Sequence, residues 1–159
     1  MARQSRSLFS LSTVFASFFG AAMVASAFAY FNYKFSEYKF IDFHEWIFYE
    51  SHDLFGPTQE RYVVVFYSSN RPGMVETLQK VHAPYPVIAI DYYQDANDSS
   101  ENIRFLKAGT NTTLKFVQRF NIYHVPSVFI IKRVKESLYK QDSMIRQFDT
   151  LDKLNFKDL

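Results

Sequence analysis

The stretch RYVVVFYSSNRPGM (61–74) decides how the chain is read. Its first eight residues form a short apolar run rich in β-branched side chains, which suits a strand buried on both faces. Ser68, Ser69 and Asn70 then offer capping side chains, and Pro72 fits a first helical turn. The spacing predicts a helix over 72–82, with Met74, Val75, Leu78 and Val81 as its apolar stripe. A strand that hands over to a helix through a short turn is a place where many proteins keep their chemistry.

Working outward, YPVIAIDYY (85–93) reads as a second buried strand and QDANDSSEN (94–102) as a polar loop. TTLKFVQRFNI (112–122) supplies a short helix with Leu114, Phe116, Val117 and Phe120 on its apolar face. PSVFIIKRV (126–134) is a third strand and SMIRQFD (143–149) a fourth, with alternating faces. TLDKLNFKDL (150–159) closes the chain as a helix capped by Asp149 or Thr150. Upstream, DFHEWIFYESHDLFGP (42–57) puts Phe43, Trp46, Ile47 and Leu54 at helical spacing, with Gly56-Pro57 as the stop. The order β-α-β-α-β-β-α after an N-terminal helical element describes a compact α/β sandwich.

Residues 7–33 carry no charge, a run of 27 residues where about 20 cross a bilayer core as a helix. Arg3 and Arg6 precede it, so the positive-inside bias keeps the N-terminus in the cytoplasm and exports everything after Lys34. Two readings stand. One is a retained anchor, with Ala16, Ser17, Gly20, Ala21 and Ala25 offering a close-packing face. The other is a cleaved signal peptide, with Ala25 and Ala27 placed for a signal peptidase. The run is long for a signal and stays apolar through Phe31, which favours the anchor. The chain then divides into the stub and membrane segment (1–33), an aromatic-rich element (34–60) and a folded domain (61–159). That aromatic-rich element holds Phe35, Tyr38, Phe40, Phe43, Trp46, Phe48 and Tyr49, shared among core, bilayer interface and partner contacts.

Composition narrows the chemistry. Among 159 residues, 18 Lys and Arg stand against 16 Asp and Glu, a balance that argues against a nucleic-acid surface. There is no cysteine, which excludes disulfides, thiolate catalysis and cysteine-ligated metals. His44 and His52 lie two turns apart on the expected helix, and no His-x3-His pair or acid cluster joins them, so no metal site is expected. Ser68, Ser69 and Ser127 lack visible His–Asp partners and read as turn or capping residues. DANDS (95–99) fits an Asn-x-Ser acceptor at Asn97, with an acid two residues ahead that resembles the extended acceptor of bacterial periplasmic N-glycosylation; NTT (111–113) fits only the shorter pattern.

The element order resembles the thioredoxin fold, and local residues deepen the likeness over residues 60 to 159. In that family a buried strand ends in an aromatic pair, here Phe66-Tyr67, and a turn opens a helix with a Cys-Gly-Pro-Cys box. Arg71, Pro72, Gly73 and Met74 fall on the box. RFNIYHVPSVFIIK (119–132) is similar to the family's helix end, cis-proline and next strand, which makes Pro126 the cis-proline, with His124 and Val125 before it and Ser127 after. The resemblance implies an α/β sandwich with a mixed central sheet, preceded here by one transmembrane helix. The departures bear on function. The family's reaction needs a thiolate and a resolving thiol, and its buried acid just before the aromatic pair is Val65 here. The junction keeps its shape and has lost its reaction.

The expectation is therefore a protein without enzymatic activity, cofactor, metal or small-molecule substrate. It is held in the inner membrane through residues 7–33, with its domain in the periplasm. There it serves as a structural or interaction component of an envelope assembly, such as a flagellar motor, binding other envelope proteins and assembling as an oligomer within it. The alternative is a chaperone-like factor for respiratory-complex or cytochrome maturation, holding clients by strand addition at His124, Val125, Pro126 and Ser127. Against both stands the reading that Pro126 persists because the turn is built around it. An enzyme of unfamiliar type, using His124 or His82, ranks last.

Overall fold

A computed structural model describes residues 10–37, 40–95 and 98–149, with the backbone alone over 34–37. The chain divides into two units at the 38–39 junction. The first contains helix α1 (Leu11–Glu37). Alanine, phenylalanine and serine dominate it, with no proline and a single glycine to oppose helix formation. Ser10 caps it, its Oγ accepting the Thr13 N–H at 3.2 Å. Ser17 Oγ donates back to Thr13 O at 2.7 Å, which satisfies the hydroxyl within the helix. Leu11–Tyr33 is long and apolar enough to cross a membrane. At a rise of about 1.5 Å per residue its 23 residues reach roughly 35 Å, against a hydrocarbon core of about 30 Å.

The second unit is a mixed α/β domain. Strands β1 (Phe40–Asp42), β2 (Phe48–Glu50), β3 (Asp53–Leu54), β4 (Arg61–Tyr67), β5 (Val87–Asp91), β6 (Ile103–Ala108), β7 (Ser127–Lys135), β8 (Leu138–Gln141) and β9 (Arg146–Gln147) share one sheet. Helices α2 (Met74–Gln79) and α3 (Thr110–Phe120) complete the described part. The order is β1-β8-β7-β4-β5-β6-β2-β3, with β9 also on β7. β4, β5 and β6 run parallel, and the remaining pairs are antiparallel.

Connectivity forces this sheet to curl. β1 and β2 lie six strand spacings apart in the sheet, about 29 Å if it were flat. Residues 43–47 alone join them, a link that reaches roughly 20 Å at full stretch. Phe43 sits in this link with its ring 5.5 Å from Tyr139 of β8 and 5.6 Å from Phe48 of β2, so one side chain touches both ends of the sheet. Trp46, also in the link, is 8% exposed and carries the Arg119 guanidinium 5.2 Å from its ring centre.

Each face of the sheet has its own core. The concave face gathers Phe43, Phe48, Tyr62, Val64, Phe66 and Tyr139 with Phe116 and Phe120 of α3. The other face packs Val63, Val65, Tyr67, Val87 and Phe105 under Met74 and Leu78 of α2. β4 alternates between them, which is why every residue from Tyr62 to Tyr67 is buried. The loop into β4 is pinned by two tyrosines. Tyr62 Oη accepts the Thr58 and Gln59 N–H groups, and Tyr139 Oη donates to Gln59 O at 2.6 Å while accepting Arg133 Nε at 2.9 Å.

Several expectations need correction. Residues 42–57 are not helical; they form β1, the closing link and the β2–β3 hairpin, with Ile47 46% and Leu54 68% exposed. The apolar residues there matched a helical period by coincidence, and pairing with distant β8 and β6 won. His44 and His52 thus lie in two separate turns rather than on one helix. The fourth strand lies at Leu138–Gln141, and only Arg146–Gln147 of 143–149 pairs. Leu114 of α3 faces outward at 49% exposure. β6 had no counterpart in the sequence reading. The closing helix expected over 150–159 and the acceptor Asn97 lie outside the described residues.

Candidate functional site

The β4–α2 junction and the turn before β7 come to one end of the domain because Phe66, near the end of β4, pairs with Ser127, the first residue of β7. The junction is two successive turns, with Arg71 N–H bonded to Ser68 O and Met74 N–H to Arg71 O. Gly73 stands before α2 at φ +77°, a left-handed conformation that side chains resist. The four box positions diverge in role. Met74 is 7% exposed and packs into the α2 core, Pro72 and Gly73 face out, and Arg71 Nη1 donates to Asp149 O at 2.9 Å.

Across the end, the Val125–Pro126 peptide is cis. Ser127 is fully buried, its Oγ donating to His124 O, and His124 itself is exposed with Nδ1 3.2 Å from Val125 O. Pro126 O accepts the Phe148 N–H at 3.1 Å. The structure therefore joins the two landmarks of the sequence through residues 148–149, which no motif marked.

Asp91, also unmarked, organises the loops. It ends β5 beside Tyr67 at 1% exposure, and its Oδ1 accepts Ser69 N–H while Oδ2 accepts Ser69 Oγ–H and Asp95 N–H, each at 2.8 Å. One buried carboxylate thus fixes the turn after β4 and the turn after β5. Its sequence signal was a lone acid closing the apolar run VIAID.

Between these turns and the end of α3 lies a groove of about 260 Å³. Phe66, Ser68, Val117, Ile122, His124 and Val125 line it, and Tyr92, Tyr93 and Tyr123 flank it at 49%, 53% and 85% exposure. The Tyr92 and Tyr93 rings meet edge to face at 5.1 Å, and Tyr92 also touches Phe66. No lysine, arginine or carboxylate is among its described lining residues. It sits at the carboxyl ends of parallel strands, where open α/β sheets leave a crevice. Another cavity, of about 320 Å³, contains the Arg104–Glu50 ion pair at 2.9 Å, with Glu101 as a second acid on its lining. His82 lines a third, its Nδ1 3.1 Å from Lys80 O. Among the described residues no group of three His, Asp or Glu is placed to hold a metal ion. No protein-family model matches the chain, and no curated protein matches it.

Proposed function

We propose that this is a redox-inert, thioredoxin-like protein of the bacterial inner membrane, with its domain in the periplasm, that works by binding another protein of an envelope assembly. The thioredoxin-like reading is supported by β4 ending in Phe66-Tyr67, the turn into α2 at Arg71–Met74, and a cis peptide at Pro126 leading into β7 and β8. β6 and the β2–β3 hairpin are additions to that plan. The inert reading is supported by the two box positions themselves: Arg71 is hydrogen-bonded to a main-chain carbonyl and Met74 is in the core, and neither forms a thiolate. Leu11–Tyr33 supports the anchor.

The observation that carries the binding reading is the groove whose described lining lacks Lys, Arg, Asp and Glu, with three exposed tyrosines around it. Tyrosine offers a large amphipathic contact with little entropy to lose, the property that makes it frequent at interface centres. An envelope machine of the flagellar-motor type is the setting this reading names. A second reading, a chaperone-like factor holding clients beside Pro126, is favoured by the presence of His124 and Val125 in the same groove.

A photocrosslinking residue at Tyr123 in native membranes tests this. One discrete adduct that vanishes with Tyr92→Ala and Tyr93→Ala is expected, and an adduct pattern indifferent to those changes overturns the groove as the binding surface. A spread of many adducts selects the client-holding reading instead. Insulin reduction by the purified protein is expected at background, and turnover would refute inertness.

A further inference from the structure

The ladder that follows Pro126 is filled from within the chain. On one side Ser127 and Val128 pair with Phe66 and Val65 of β4; on the other they pair with Gln147 and Arg146 of β9. Past the ladder, Phe148 N–H donates to Pro126 O and Arg71 Nη1 donates to Asp149 O. Residues 146–149 are thus tied to the proline turn by main-chain bonds and to the β4–α2 turn by one guanidinium.

β9 alone is a poor strand. It has two residues, both exposed, and between β8 and β9 the hold on β7 is reduced to Ile130, whose O accepts the Asp142 N–H and whose N–H donates to Ser143 Oγ, each at 2.8 Å. A ladder this short opens readily unless something else holds it. Ile145 packs against the concave core and Phe148 against the α2 core, which anchors the segment from two sides. Its far end, Asp149, is exposed and is met by Arg71, whose charged donor makes a stronger bond than a neutral one.

We propose that Arg71 is a clasp that keeps residues 146–149 on the edge of β7 beside Pro126, so that the chain occupies its own strand-addition site and admits an outside strand only when the clasp is released. The position where a thiol would react thus serves to close a binding edge. The proposal is independent of the tyrosine groove, whose lining includes neither Arg71 nor residues 146–149.

Hydrogen exchange on the full chain in detergent, wild type against Arg71→Ala, tests the clasp. Loss of one charged hydrogen bond is expected to speed exchange over 143–149 about tenfold, with β4 and β5 unchanged. A synthetic peptide of sequence SMIRQFD, added in excess, is expected to bind Arg71→Ala and not the wild type. Equal exchange over 143–149 in both proteins, equal peptide binding by both, or acceleration spread evenly through β4 and β5 would each overturn the clasp. Neither readout depends on what the tyrosine groove binds.

Discussion

Two side chains give the fold pH dependences of opposite sign. Asp42 Oδ1 accepts Ser137 Oγ–H at 2.6 Å and His44 N–H at 2.9 Å. The Ser137 bond is the main reason its carboxyl is held below the usual range, with burial working against it. The folded state therefore favours the ionised form. Its contribution is complete above the ordinary Asp value of about 3.9 and is lost as pH falls through the lowered folded value. Tyr139 behaves oppositely: burial pushes its hydroxyl up, and Arg133 opposes the shift. Its contribution is complete below about 10 and fades as pH climbs beyond that. Urea unfolding across pH is expected to show both limbs. Asp42→Asn should flatten the acid limb at a cost of about 1 kcal/mol near neutrality. Tyr139→Phe should remove the alkaline limb and, by leaving Gln59 O and Arg133 Nε short of a partner, cost about 1–3 kcal/mol. Neither residue stood out in the sequence, because the partners of each are distant along the chain or make sense only once the hairpins have met.

Of the two helices described in the domain, α2 has the less to hold it. It spans six residues, and Gly73 before it supplies no side-chain cap. Its attachment is Met74, the half-buried Val75 and Leu78, the last at 0% exposure against β4 and β5. Leu78→Ala is expected to cost about 2–5 kcal/mol in urea unfolding and to raise hydrogen exchange across the β4–α2 junction. This element was legible because its apolar spacing is local; its start at 74 rather than 72 reflects the left-handed Gly73, and it ends at Gln79 rather than 82. β4, β5, α3 and β7 were legible for the same reason, each announcing itself within one window of residues. β6 was not. Ile103, Phe105, Leu106 and Ala108 are buried while Arg104 is exposed and Lys107 half-buried, a broken alternation that reads as loop until Val87 and Ile103 are seen side by side. The segment 40–54 failed more fully, since its strands exist only through β8 and β6.

At the scale of the whole molecule, the helix Leu11–Tyr33, long and apolar enough to cross a membrane, was the most legible part, for length and lack of charge need no tertiary context. Of the groove's lining, the sequence had singled out His124 and Val125, whereas Tyr92, Tyr93 and Tyr123 owe their place to separate chain segments meeting. The absence of cysteine gives a clean means to test the proposed orientation, because one introduced thiol is the only one present. In intact spheroplasts, Ser100→Cys is expected to react with a membrane-impermeant maleimide and Ser5→Cys only after lysis; the reverse pattern would invert the topology. The five-residue link that draws the two ends of the sheet together has a different use. It houses the only indole of the chain, Trp46, shielded from water beneath Arg119. Its fluorescence is consequently a built-in gauge of closure: the emission maximum moves to longer wavelength when the seam parts, without a dye or a label.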